Sequence, residues 1–249
     1  MSAHDMSAAD LPLPRLHVIA DDHTTAAAVL ASDALGISAG APTRTLAIQV
    51  RIKNQSDAAV LAECQKIMAH GAVATPDDAD VGAADGATTP RVIVNDRADI
   101  AMACGAHGVH LGAEDLPIAA VRKLVSTNYI VGATARDPNT ARYLQDNGAT
   151  YLGVGPIYPT TSKANLPEPI GLAGLEKVAA AVEVPVIAIA GITVAKIPEV
   201  LNAGAYGAAV LSAISSATNP TKATVEFIET LNLWITDALM PDVWMPHAS

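Results

Sequence analysis

The chain has 249 residues, of which 51% are hydrophobic, with two cysteines and a formal net charge of −10. That length suffices for one sizeable core in a single domain, and the acidic balance excludes general binding to a nucleic-acid backbone, which calls for a basic surplus. Aromatic residues make up only 3%, so the apolar content rests on Ala, Val, Ile and Leu, a composition suited to strands covered on both faces by helices rather than to a sandwich.

From the N-terminus, residues 1–14 read as a loosely held extension. Short β-branched runs then recur at Leu16–Ala20, Thr45–Arg51, Arg91–Asn95, Gly108–Leu111, Tyr129–Ala133, Tyr151–Gly155, Pro185–Ile189 and Gly207–Leu211, separated by stretches of helical composition. Asp137-Pro138 and Asn219-Pro220 each set a capping side chain ahead of a proline suited to the first helical position. Eight βα units over residues 15–235 predict a single-domain α/β fold, a (β/α)8 TIM barrel, with a doubly wound open sheet as the alternative. The segment 71–90, "GAVATPDDADVGAADGATTP", is small, acidic and rich in turn formers and is expected to be a surface insertion; residues 236–249 form a C-terminal tail that Trp234 and Trp244 could anchor.

The longest apolar run, around Val184–Ile192, is far too short to span a membrane, and the N-terminus lacks a basic segment followed by an apolar one. Cys64 and Cys104 lack metal-ligand spacing. A soluble, cytoplasmic protein with reduced thiols is expected, with no nucleic-acid or membrane partner. Homodimers are common among barrels, but no residue here fixes an interface.

The second strand, "AIQVRIKN", alternates Ile48, Val50 and Ile52 with Gln49, Arg51 and Lys53, so the three polar side chains share one face. If the aliphatic residues meet helices, the polar ones point inward toward the carboxyl-end mouth. Two inward cations without a partner would cost several kcal/mol each, so an anion is expected there; a solvated edge strand is the alternative. The third and fourth strands are each followed by a carboxylate, Asp96 and Asp115. Singly, each is most simply a helix cap. Together, beside an inward Arg and Lys, they suit Mg2+, which takes one or two protein carboxylates and completes its shell with water and substrate phosphates. That combination points to a diphosphate.

After the sixth strand, "GPIYPTTSK" sets hydroxyls at Thr160, Thr161 and Ser162 and a cation at Lys163; "IAGIT" with Gly191 and "VLSAIS" with Ser212 follow the seventh and eighth. Loops after those last two strands often bind a phosphate through backbone N–H groups. A second, metal-free anion site is therefore expected. His110 shares a strand face with Gly108 and Gly112 and reads as a core histidine with one satisfied hydrogen bond rather than as a ligand.

The blocks "IQVRIK", "VNDRADIA", "GVHLGAEDLP", "GPIYPTTSK", "AIAGIT" and "LSAISSA" occur in the order and spacing of thiamine phosphate synthases, and the chain resembles that family from about Leu16 to Leu231. The resemblance implies a transferase of thiamine biosynthesis that couples hydroxymethylpyrimidine pyrophosphate with hydroxyethylthiazole phosphate, giving thiamine phosphate and pyrophosphate. By the same resemblance Asp96 and Asp115 ligate Mg2+, and Gln49, Arg51, Lys53, Asn95 and Lys163 hold the pyrimidine and its pyrophosphate. Thr134 stands where the family usually has a pyrophosphate-binding serine. Thr160, Ser162, Gly191, Leu211 and Ser212 approach the thiazole phosphate, and Arg51, Lys53, Thr134 and Lys163 act on the departing pyrophosphate. Ile52 replaces a frequent Glu, Ser162 a threonine, and Ala190 the first glycine of a usual pair, which crowds the thiazole phosphate. Two rival readings are a thiazole tautomerase-like isomerase and a non-catalytic phosphate-ligand sensor.

Overall fold

Eight parallel strands alternate with helices and close into one barrel in the computed structural model, which describes residues 13–34, 46–72, 90–160, 162 and 166–237. In chain order the elements are β1 (Leu16–Ala20), α1 (His23–Ala34), β2 (Leu46–Val50), α2 (Asp57–Ala72), β3 (Arg91–Asn95), α3 (Ala98–Ala103), β4 (Gly108–Leu111), α4 (Ile118–Val121), β5 (Ile130–Ala135), α5 (Pro138–Asp146), β6 (Tyr151–Val154), α6 (Gly171–Ala179), β7 (Val186–Ile189), α7 (Ile197–Asn202), β8 (Gly207–Val210), α8 (Ser212–Ser215) and α9 (Pro220–Asp237). Each strand pairs with the next in sequence, and β8 returns to β1 through the pairs Leu16 with Ala208 and Val18 with Val210. The (β/α)8 barrel replaces the open-sheet alternative.

The two-residue period sorts the side chains. Val18, Ile48, Val92, Val94, Val109, Leu111, Val131 and Leu152 point outward into the main core under the helices. Ile19, Ala47, Ile93, Tyr151, Ile187 and Ala209 form a second cluster inside the barrel, the layered filling that makes such a barrel a packed core rather than a pore. Tyr151 is the bulkiest of these and 1% exposed. Its ring fits because Gly132 faces it: a Cβ there would lie 2.1 Å from Tyr151 Cζ.

The predicted caps form. The Asp137 side chain accepts from the Asn139 and Thr140 amides at the start of α5, and Asn219 Oδ1 accepts from the Lys222 amide at 2.9 Å ahead of α9. Strand β5 runs further than the hydrophobic run suggested, because Thr134 and Ala135 pair with Gly153 and Val154. Strand β2 ends at Val50, although the Arg51 amide still donates to Ala20 O at 2.8 Å. The barrel's contacts also reach into the expected N-terminal extension, since the Tyr206 hydroxyl donates to Leu13 O at 2.8 Å. Helix α2 continues through Ala72 and α9 through Asp237; residues 73–89 of the acidic insertion and 238–249 of the tail, Trp244 included, lie outside the described residues. Cys64 on α2 and Cys104 after α3 are free thiols, and Cys104 Sγ donates to Ala101 O at 3.5 Å. Among the described residues, no helix is long and apolar enough to cross a membrane.

Candidate active site

The carboxyl ends of the strands surround a cleft of about 290 Å³. Strand β2 supplies its basic wall: Gln49 points inward and is 5% exposed, and Arg51 and Lys53 follow on the same side and line the cleft, while Ile52 packs against the outer core. The face predicted from the two-residue period is therefore the one that lines the cleft, and the solvated-edge alternative fails because β2 lies between β1 and β3.

Asn95 and Asp96 enter from the end of β3. Asp96 adopts a left-handed backbone, φ 65°, and its amide donates to His110 O at 2.8 Å; Asp and Asn are the non-glycine residues that tolerate this region best. Its carboxylate pairs with the Lys53 ammonium. Four residues after β4, Asp115 turns back so that Oδ2 accepts from the Gly112 amide at 2.6 Å. Neither acid caps a helix: α3 begins after Arg97 and α4 after Pro117, both without a side-chain capping bond. Taken singly, each had been most simply a cap, and here that expectation is corrected.

The two carboxyl groups instead hydrogen-bond to each other. Burial pushes the Asp115 carboxyl up, the Gly112 amide opposes this, and contact with Asp96 raises it further. Burial also acts to raise Asp96, but hydrogen bonds from Lys53 and Asp115, with the charges of Lys53 and Arg51, hold it below the usual carboxylate range. The contact therefore makes Asp115 the harder of the two to ionise and Asp96 the easier. Such a pair of hard oxygen donors beside an open cleft fits Mg2+. Among the described residues no cluster of three or more His, Cys, Asp or Glu side chains that could hold a metal occurs.

Across the cleft, the Thr160 hydroxyl donates to Ser162 Oγ at 3.2 Å, and Ser162 Oγ lies 2.9 Å from Ser212 Oγ. Leu211 and Ser212 stand at the start of α8, where the first amides have no intrahelical acceptor. Gly191 has φ 68°, and a Cβ there would sit 2.7 Å from Pro159 O, so this approach of the β6 and β7 loops admits glycine alone. Ala190 is also left-handed, φ 79°, and lines the cleft. Lys196 Nζ braces this corner, donating to Gly191 O at 2.9 Å while lying 3.8 Å from the Tyr158 ring centroid.

Of the expected residues, Gln49, Arg51, Lys53, Asn95, Asp96, Thr134, Thr160, Ser162, Gly191, Leu211 and Ser212 line the one cleft, and Asp115 reaches it through Asp96. Lys163 lies outside the described residues. Two further polar side chains line it without having been expected there. Arg136 donates from Nη2 to Glu168 O at 2.7 Å; carrying the period of β5 two residues past Thr134 would have found it. His110 is also a lining residue, and it makes two side-chain contacts rather than one.

The model of the family described as thiamine monophosphate synthase matches residues 16–214. Thiamine-phosphate synthase from Salinispora arenicola is 54% identical over 139 residues, 56% of this chain and 67% of that protein. The one from Salinibacter ruber is 41% identical over 220 residues, 88% of this chain and 89% of its own length. Among solved structures, a thiamine phosphate pyrophosphorylase from Pyrococcus furiosus superimposes with a TM-score of 0.69 at 30% identity, covering 91% of this chain and 98% of that one. A 3-hexulose-6-phosphate synthase, at 21% identity and a TM-score of 0.58, shares the fold.

Proposed function

Because this chain belongs to the thiamine monophosphate synthase family, and is a transferase on that ground, we propose that it joins hydroxymethylpyrimidine pyrophosphate to hydroxyethylthiazole phosphate with Mg2+ bound at Asp96 and Asp115. The observation that supports this most directly is the carboxyl pair with its Lys53 partner, opening onto the same cleft as Arg51 and Thr134. When bound, the metal supplies positive charge to the oxygens of the diphosphate.

The chain's own residues do the rest. Arg51 and Lys53 face the charge that develops as the carbon–oxygen bond to pyrophosphate breaks, the kind of preorganised electrostatic help that is worth roughly 3–4 kcal/mol per donor in comparable sites. Lys163 adds a further cation, and Asn95 and Thr134 add neutral donors. Lys53, paired with Asp96 in this structure, would be free to meet the diphosphate where that carboxylate holds a divalent cation. The aminopyrimidine ring, whose amino group delocalises the charge left on its methylene carbon, lies against Gln49 and the apolar floor made by Ile19, Ile189 and Ala209. Thr160, Ser162, Ser212 and the backbone of Gly191 and Leu211 hold the thiazole phosphate. The thiazole nitrogen is nucleophilic without help, so the site needs no general base and works by orienting two reactants. A thiazole tautomerase would leave the carboxyl pair without a task. A reducing cytoplasm suits the two free thiols.

The test is a pyrophosphate-release assay in which each substrate and Mg2+ is omitted in turn. Release and thiamine phosphate formation should both require all three; thiamine phosphate bound but never formed, or formation indifferent to divalent cations, would overturn the reading.

A further inference from the structure

Four polar side chains from four strands form a continuous hydrogen-bond chain through the barrel. The Gln49 amide contacts the Tyr151 hydroxyl, that hydroxyl lies 2.9 Å from His110 Nδ1, and His110 Nε2 lies 3.0 Å from Thr134 Oγ1. The two middle members are buried, Tyr151 at 1% and His110 at 9% exposure. The two end members, Gln49 and Thr134, line the cleft. The fold leaves room for this: Gly132 faces the Tyr151 ring, and Gly153 faces His110, whose Cε1 would lie 3.0 Å from a Cβ at that position.

A chain of this kind has a direction. His110 is buried with each ring nitrogen on a hydroxyl, and a neutral imidazole has one N–H and one acceptor nitrogen. If the proton is on Nδ1, it donates to Tyr151, Tyr151 donates to Gln49 Oε1, and Nε2 accepts the Thr134 proton. Thr134 then turns only lone pairs toward the cleft. If the proton is on Nε2, it donates to Thr134 Oγ1, the Thr134 hydroxyl proton is released toward the cleft, Nδ1 accepts from Tyr151, and the Tyr151 oxygen accepts from the Gln49 NH2. Gln49 Oε1 is then left to face the cleft. A diphosphate is acceptor-only, and the amino group of an aminopyrimidine is a donor, so both ends of the second arrangement match their ligand and the Thr134 end of the first repels it.

We propose that Tyr151 and His110 are positioning residues that lock the chain in the second direction, presenting Gln49 Oε1 to the pyrimidine amino group and the Thr134 hydroxyl proton to the departing diphosphate. This rests on the placement of the pyrimidine at Gln49 and of its diphosphate at Thr134 given above. The first test does not depend on turnover: nitrogen-15 shifts of the imidazoles in the full, ligand-free chain, with His110 assigned by its loss in His110→Gln, should show His110 protonated at Nε2, and an Nδ1–H tautomer overturns the proposal. The second is a double-mutant cycle. Tyr151→Phe should raise KM for the pyrimidine diphosphate about tenfold, a hydrogen bond's worth, with KM for the thiazole phosphate unchanged, and should cost distinctly less in a Thr134→Val background. Equal cost in both backgrounds refutes the relay. A Thr134→Val enzyme with unaltered kinetics refutes instead the placement of the diphosphate, so the two failures are told apart.

Discussion

The barrel floor should make the protein lose stability as the solution becomes acidic, and His17 offers a way to measure how much. Its side chain is fully buried; Nε2 bonds to Pro14 O at 3.0 Å, Nδ1 has no partner among the described residues, and the ring meets the Tyr151 ring edge-on at 4.9 Å between centroids. Burial, then the neighbouring His110, lowers its pKa from 6.5 to about 3, with the Pro14 carbonyl opposing. Between those values the unfolded chain binds a proton that the folded chain refuses, so stability is complete above the ordinary histidine pKa and falls as pH drops. From pH 7 to pH 5 the loss is about 2 kcal/mol, at about 1.4 kcal/mol for each pH unit below 6.5. For a domain of this size that corresponds to roughly 4–8 °C in melting temperature. His17→Gln keeps a donor for Pro14 O and removes the titration. Melting curves of both proteins at pH 7 and pH 5 should show the acid-induced drop smaller by about that amount in the variant, superimposed on a drop of the same sign from His110 that both retain. Equal drops in the two proteins would refute the account.

Asp115→Asn keeps an acceptor for the Gly112 amide but removes the charge proposed to bind the metal; turnover at saturating Mg2+ should fall by roughly 100-fold or more with little change in melting temperature, and near-normal turnover would remove Asp115 from the proposed metal site. Ala190→Gly relieves a left-handed alanine, a strain of about 1–2 kcal/mol, against about 0.4–1 kcal/mol of added chain entropy in the unfolded state. The balance favours the variant, whose melting temperature should rise by a few degrees; a lower value refutes the ledger. Gly132→Ala drives a Cβ to 2.1 Å from Tyr151 Cζ, and the forced shift should destabilise by about 3 kcal/mol or more, visible as a lowered urea midpoint; an unchanged midpoint would mean that the Tyr151 ring is free to move.

Strand identity and the inward face of β2 were legible because both depend on local alternation: Ile48, Val50 and Ile52 against Gln49, Arg51 and Lys53 state which side meets the helices. Asp96 and Asp115 were legible together as candidate metal ligands, but their direct contact was not, since it depends on the turn that brings Asp115 back to the Gly112 amide. The end of β5 was misjudged because Thr134 lacks the apolar character of a strand interior and is held there by pairing with Gly153. The chain from Gln49 through Tyr151 and His110 to Thr134 could not be read at all. It joins residues up to 102 positions apart through the register of β2, β4, β5 and β6, which no local pattern records.

The left-handed backbone at Asp96 narrows the ways in which this protein can drift over generations. Most replacements there incur a conformational penalty before any chemistry is lost, and the side chains that tolerate the geometry are Asn and Gly. A descendant that abandons the reaction while keeping the barrel should therefore bear Asn or Gly at position 96, a scar by which retired copies can be told from working ones.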